Sequence, residues 1–231
     1  MIEMLPPWVY HTSTWILPVL CAVTLHEAAH GFVAWRLGDD TAYRMGRISL
    51  NPLRHIDLVG TVLLPALLIM LRAPFLFGWA KPIPVVSHRL RHPRWGVICV
   101  AIAGPTANLL LAVLAALLAH AAVHAPASGR AWLLFNIQHA IQLNVMLALF
   151  NMIPVPPLDG GLVMVRLLPR ILARRLTWLE KHGTMLLLAI LLIIPTIGYQ
   201  IGTDWNLLTW LLGAPATLLY ELVLRSAGLV S

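Results

Sequence analysis

An all-α polytopic membrane protein is the fold class predicted by this sequence of 231 residues, with five to six transmembrane segments, a short β element and a re-entrant segment. Three observations predict it. Hydrophobic residues make up 59% of the chain and charged residues only 11%, a balance that soluble domains do not show. The apolar residues gather into runs of the roughly 20 residues that a helix needs to cross the hydrocarbon of a bilayer. Most of the sixteen Lys and Arg fall between those runs, where basic residues mark cytoplasmic loops. That scattering also excludes nucleic acid as the meaning of the +7 net charge, because no single basic face collects it.

The first segment, Thr12 to Leu37, is apolar from Trp15 to Leu25 and then carries the polar group described below. Ahead of it, Met1 to Tyr10 carries Glu3 and no basic residue, unlike the start of a cleavable signal peptide, so this segment is expected to stay. Met45 to Leu50 alternates enough to predict a short strand. The next apolar run, Leu58 to Phe77, contains Pro65, Arg72 and Pro74 and ends in Gly78-Trp79-Ala80-Lys81-Pro82-Ile83-Pro84. Charge argues that it re-enters rather than spans. If it enters and leaves on one face, fifteen of the sixteen basic residues are cytoplasmic, all but Arg130. Backbone broken by proline at that depth needs shelter by protein or water. Trp95 to Val123 and Trp132 to Phe150 are long and uninterrupted, and Thr184 to Ile201 with Leu207 to Leu224 form a C-terminal helical hairpin over about 184–224. Arg225, after the last run, is expected on the same side as the other basic residues. No linker or repeat divides residues 1–231, so one integral-membrane domain is expected. Cys21 and Cys99 lie inside apolar runs as small hydrophobes and suggest no disulfide.

Chemistry concentrates in the first segment, at His26-Glu27-Ala28-Ala29-His30. On a helix the two imidazoles stand one turn apart on one face, able to share a tetrahedral zinc ion. Glu27 is then beside the ion without ligating it, placed to take a proton from an attacking water. With ten His in 231 residues, random placement produces this HExxH pattern in roughly one such chain in a hundred. Three ionisable side chains in an otherwise apolar span are costly and mark a functional site, although neutral, hydrogen-bonded packing histidines are the plain alternative.

Two imidazoles leave zinc short of a protein ligand. Asp39, Asp40 and Asp57 lie in the basic interval and Asp204 between the last two runs. Asp159 differs: it ends Asn151-Met152-Ile153-Pro154-Val155-Pro156-Pro157-Leu158, where the prolines stop a long helix, and it precedes Gly160 and Gly161, which permit close approach. It is either the third ligand or the start of the next helix. His120 and His124 share helical spacing without a following Glu and read as surface residues, and the remaining histidines have no ligand pattern around them.

Taken together, the sequence resembles the site-2 protease family of intramembrane zinc metalloproteases, in its small prokaryotic type without a PDZ domain. The resemblance rests on His26 to His30, Gly46-Arg47-Ile48-Ser49-Leu50-Asn51-Pro52, Phe77-Gly78-Trp79-Ala80-Lys81-Pro82, Ala103-Gly104-Pro105-Thr106-Ala107-Asn108 and Asn151 to Gly160, in that order along the chain. Many members carry a transmembrane helix ahead of the HExxH helix, for which this sequence has no room. The resemblance implies a catalytic core over about 12–165, one zinc ion on His26, His30 and Asp159, and Glu27 as general base. It further implies that Asn108 and Asn151 line the substrate site, where the alternative for each is an amide bridging helices. The expected activity is hydrolysis of peptide bonds in or near transmembrane segments by a zinc-activated water, in a prokaryotic inner membrane with the site towards the cytoplasm. A metal transporter would need ligands continuing along a path through the membrane, and a structural zinc scaffold would close the metal with four protein ligands.

Overall fold

The computed structural model describes residues 6–70, 78–203 and 207–230, and among them every regular element is helical. Four helices are long and apolar enough to cross a membrane: α1 (Pro7–Arg36), α4 (Pro93–Ala122), α5 (Ala127–Asn151) and α8 (Leu207–Ser226). Between α1 and α4 lie the one-turn α2 (Thr41–Arg44), a π turn at Leu58–Leu63 and α3 (Leu64–Met70). After α5 come α6 (Asp159–Leu167) and α7 (Arg170–Gln200). Against the expected five to six spans, four candidates stand among the described residues. The predicted Thr184–Ile201 run is the second half of the longer α7, whose apolar stretch His182–Gly198 falls short of the other four.

Three helices form the centre, and their sequences explain why they can approach. The buried face of α1 steps through Thr14, Pro18, Ala22, His26, His30 and Ala34, every fourth residue. On α4 the same spacing gives Gly96, Val100, Gly104, Asn108, Ala112 and Ala116. Side chains four apart share one face of a helix, and small ones let backbones come close, which is how helices associate in lipid. Ile137, Ile141 and Val145 of α5 complete the packing against Ala112 to Ala122 of α4 and against Val223 and Ala227 at the end of α8. Large apolar side chains such as Leu110, Leu114, Trp210 and Leu218 remain exposed on the outer faces, as expected of surfaces that meet lipid.

Two expectations are corrected here. Met45 to Leu50 makes no strand. Gly46 takes φ +63°, the Arg47 amide turns back to the Ala42 carbonyl, and the Gly46 and Ser49 carbonyls are taken by Arg54 Nη1 and His55 Nε2. The alternating pattern is real, but side chains of the same loop occupy the carbonyls that a sheet partner would need. Secondly, Arg225 does not join the basic end. His120 Nε2 donates to the Ala227 carbonyl at 2.7 Å, and Ala122 and Ala227 share one buried cluster, so α8 ends where α4 ends, beside the turn that carries Arg130. Five alternating crossings would have returned Arg225 to the other face, whereas four spanning helices leave it here. His120, though exposed, thus caps α8 rather than standing free.

The chain that sets out at Leu58 is back beside its start at Trp79. Trp79 N–H donates to the Gly60 carbonyl at 3.1 Å and Thr61 Oγ1 to the Trp79 carbonyl at 2.8 Å, so the chain that leaves through α3 is back at its starting level by Trp79. Residues 71–77, with Arg72, Pro74 and Phe77, lie outside the described residues, as do Glu3 and Asp204. From Gly78 to Val86 the backbone runs without regular structure along α1 and is called the strap below.

Candidate metal centre

The HExxH spacing does on α1 what helical geometry requires. His26 and His30 point the same way, both 8% exposed, with their Nε2 atoms 3.0 Å apart. Asp159 arrives from a different direction, as the first residue of α6 after the proline break. Two glycines let it do so: a Cβ at Gly160 would collide with the Met152 carbonyl and one at Gly161 with the Val155–Pro156 backbone. With the loop folded so tightly onto the helix start, Asp159 Oδ2 comes 3.4 Å from each histidine Nε2.

The hydrogen bonds behind the rings define what these atoms offer. Asn108 Nδ2 donates to Asn144 Oδ1 at 2.8 Å and to the Ala22 carbonyl at 3.3 Å, which fixes the amide so that its Oδ1 faces His26. His26 Nδ1 therefore donates to Asn108 Oδ1, at 2.6 Å. His30 Nδ1 donates to the Val100 carbonyl at 2.7 Å. With each Nδ1 carrying its hydrogen, both Nε2 atoms present lone pairs, and they face a carboxylate oxygen that is buried with no hydrogen-bond partner. Three electron-pair donors turned towards one another without a proton to share are the signature of a cation site. Their separations suit zinc, since the edge of a tetrahedron with bonds of 2.0–2.1 Å is about 3.3 Å. Space agrees too: a Cβ on Gly104 would strike His30 Nε2 and the His26 ring, so α4 can pass this point only as glycine. His26, His30 and Asp159 are the one group of three or more metal-ligating side chains among the described residues.

Glu27 is placed beside the donors, not among them. Its Oε2 accepts the Ile83 N–H of the strap at 3.0 Å, which holds the carboxylate on the side of α1 where the strap lies. Asn151 does not reach the donors by any hydrogen bond; its Nδ2 donates at 3.0 Å to Leu147, within its own helix. Asn108 touches the site through His26, and Asn144, one link further, was not apparent from the sequence. An Asn in an apolar helix was the available signal, shared equally by Asn136, whose Oδ1 is buried without a partner. The centre lies close to one end of the bundle, as His30 is six residues from the end of α1, about 9 Å of helix.

Outside the spans, Asp39 anchors the far end of the strap. It is fully buried and accepts from Thr41 Oγ1 and N–H and, at 2.6 Å, from Val86 N–H. Burial alone would raise its pKa; these hydrogen bonds and the Arg89 charge outweigh burial and lower it below the ordinary 3.8.

Comparison with known proteins adds the following. The model of peptidase family M50 matches residues 122–194, which include Asp159 and the proline break. A Bacillus subtilis (strain 168) protein with the printed name "Putative zinc metalloprotease YwhC" is 37% identical over 83% of this chain and 85% of its own length. Two mycobacterial proteins printed as "Putative zinc metalloprotease Rip2" are similar. The one from Mycolicibacterium smegmatis is 34% identical over 77% of this chain and 66% of its length. That from Mycobacterium tuberculosis (strain ATCC 25618 / H37Rv) is 32% identical over 83% of this chain and 70% of its length. No solved structure matches the chain.

Proposed function

Because the chain belongs to peptidase family M50, the site-2 protease family of metalloproteases, we propose that it cleaves peptide bonds in or near the transmembrane segments of other membrane proteins. The observation that carries this reading is the convergence of His26 Nε2, His30 Nε2 and Asp159 Oδ2, each without a proton to share, at a shallow depth in a multi-pass bundle. One zinc ion is held there by those three side chains. When bound, it supplies a Lewis acid that polarises the scissile carbonyl and acidifies a water. A set of three protein ligands suits catalysis, which needs an open position, better than a closed structural site.

The chain's own residues do the rest. Glu27 takes a proton from the attacking water and returns it to the leaving amine, as general base and then acid. Asn108 keeps His26 in the tautomer whose Nε2 lone pair faces the centre, and the Val100 carbonyl does the same for His30. Asn151 lines the approach to the site. A peptide bond inside a helix is shielded by its own hydrogen bonding, so the substrate must be extended before it is cut. The strap is a suitable edge for that extended stretch. Trp79 and Lys81 are bonded through both N–H and carbonyl, while among the described residues the Ala80, Pro82 and Pro84 carbonyls accept no hydrogen bond and are the ones open to such a stretch. The Leu58–Phe77 excursion enters and leaves the membrane on the site's face. Eight of the nine Lys and Arg from Arg36 to Arg94, Arg72 being outside the described residues, and the five from Arg166 to Lys181 gather at the site end, which orients the centre towards the cytoplasm of a prokaryotic inner membrane. Residues 1–231 act as one domain.

The test is cleavage of a panel of single-span membrane peptides by the purified protein, with bound zinc measured alongside. Wild type is expected to cleave, Glu27→Gln to keep zinc and lose cleavage by at least a hundredfold, and Asp159→Ala to lose both. Full activity in Glu27→Gln with zinc bound would overturn the assignment of the base.

A further inference from the structure

Arg47 belongs to the loop after α2, far in sequence from the metal ligands, and is 8% exposed. Among the described residues no carboxylate pairs with it, and its Nε is buried with no partner. A buried guanidinium without a counter-charge is expensive, so its position calls for a reason. The bond it does make is a strong one: Nη2 donates to the Lys81 carbonyl at 2.6 Å. Lys81 is followed by Pro82, whose ring fixes the backbone, and the next N–H along the chain is that of Ile83, which Glu27 accepts at 3.0 Å. The path from Arg47 to the carboxylate thus crosses one carbonyl, one rigid residue and one amide.

We infer that Arg47 is a positioning residue for Glu27, acting through the strap. The inference rests on the reading of Glu27 as the base. Four other tethers hold the strap: the Gly60 carbonyl on Trp79 N–H, the His55 carbonyl on Lys81 N–H, Thr61 on the Trp79 carbonyl and Asp39 on Val86 N–H. None of them sets the rotation of the Lys81–Pro82 peptide plane, because the His55 bond acts on the plane before it. Arg47 alone grips that plane by its carbonyl, and rotation there swings the Ile83 N–H away from Glu27. The metal donors stand on α1 and α6 with supports from α4 and take nothing from the strap, so losing Arg47 leaves zinc in place while the base drifts.

Hydrogen–deuterium exchange separates this from a general structural role, and Pro82 and Pro84 make the measurement clean, since neither has an amide. In detergent-solubilised full-length protein, Arg47→Met is expected to speed exchange of the Ile83 amide at least tenfold while zinc affinity stays within twofold of wild type. Against a cleavable single-span peptide, kcat is expected to fall at least tenfold with KM changed less than threefold, and Arg47→Lys, which can still donate to the Lys81 carbonyl, should recover part of the loss. Ile83→Pro removes the N–H itself, so adding Arg47→Met to it should lower kcat no further. Unchanged Ile83 protection in Arg47→Met, an equal loss of zinc, or additive losses in the double variant would each overturn the inference. Faster Ile83 exchange in Arg47→Met, with no cleavage by wild type, would keep the Arg47–Glu27 linkage and discard the protease reading instead.

Discussion

Single atoms decide whether the centre can hold a metal, and Gly104 is the most sensitive of them. Gly104→Ala puts a methyl group against both imidazoles, and because the atoms it meets belong to rings held by Asn108 and Val100, they cannot swing aside cheaply. Zinc affinity is expected to fall at least tenfold with the helices intact, measurable by competition with a chromophoric chelator and by circular dichroism. Asn108→Leu removes the acceptor for His26 Nδ1 and leaves a buried donor unpaired; outer-shell changes of this kind cost about 10- to 100-fold in metal affinity. Asn144→Ala, one bond further out, should cost less, since the Ala22 carbonyl still orients the Asn108 amide. The sequence made the candidate ligands legible and these supports obscure for one reason. His26 and His30 are related by helical spacing within one element, and Asp159 stands out by its proline and glycine setting, whereas Gly104 and Asn144 matter only through the neighbour that packs on them.

At the level of elements, the strap is the least regular part of the site and the most heavily tethered. Asp39 holds its far end, and the lowered pKa of Asp39 ties that hold to pH. A carboxylate whose folded pKa lies below its unfolded value stabilises fully above the unfolded value and loses that stabilisation as pH falls through the folded one. The thermal stability gap between wild type and Asp39→Asn should therefore be constant from neutral pH to about 4 and close below it, at about 2 kcal/mol where constant. A gap that widened on acidification would contradict the assigned direction. The strand expected at Met45 to Leu50 was misjudged at this same scale. Alternation describes which side chains face inwards, but a strand also needs free carbonyls and amides; Arg54 and His55 take the Gly46 and Ser49 carbonyls, and the Met45, Gly46 and Arg47 amides turn back to the carbonyls of Thr41, Tyr43 and Ala42. The long helices were easier to read, because length and hydropathy suffice to predict them, and the i+4 stripes of Ala, Gly, Asn and His on α1 and α4 explain how they meet.

For the whole molecule, four candidate membrane-spanning helices among the described residues stand against an expectation of five to six, and Arg225 bears on the difference. Hydropathy finds apolar runs but not the direction in which each is threaded, and it is the bond between His120 and Ala227, with the buried packing of Ala122 on Ala227, that tells which way α8 runs. That bond has a consequence for how the protein is threaded through its membrane. The His-bearing half of α1 lies at the basic end of the bundle, so its first turns lie at the other end, alongside Trp132 of early α5, whose indole donates to Ser13. The last turns of α8 lie at that same other end. Both extremities of the described chain therefore lie at the end of the bundle opposite the candidate metal ligands, and are expected to emerge into one compartment across the bilayer from them. A reporter enzyme active only in the cytoplasm should be silent when fused at either extremity and active when inserted after Leu167, and a pair of end fusions that disagreed would show an odd number of crossings.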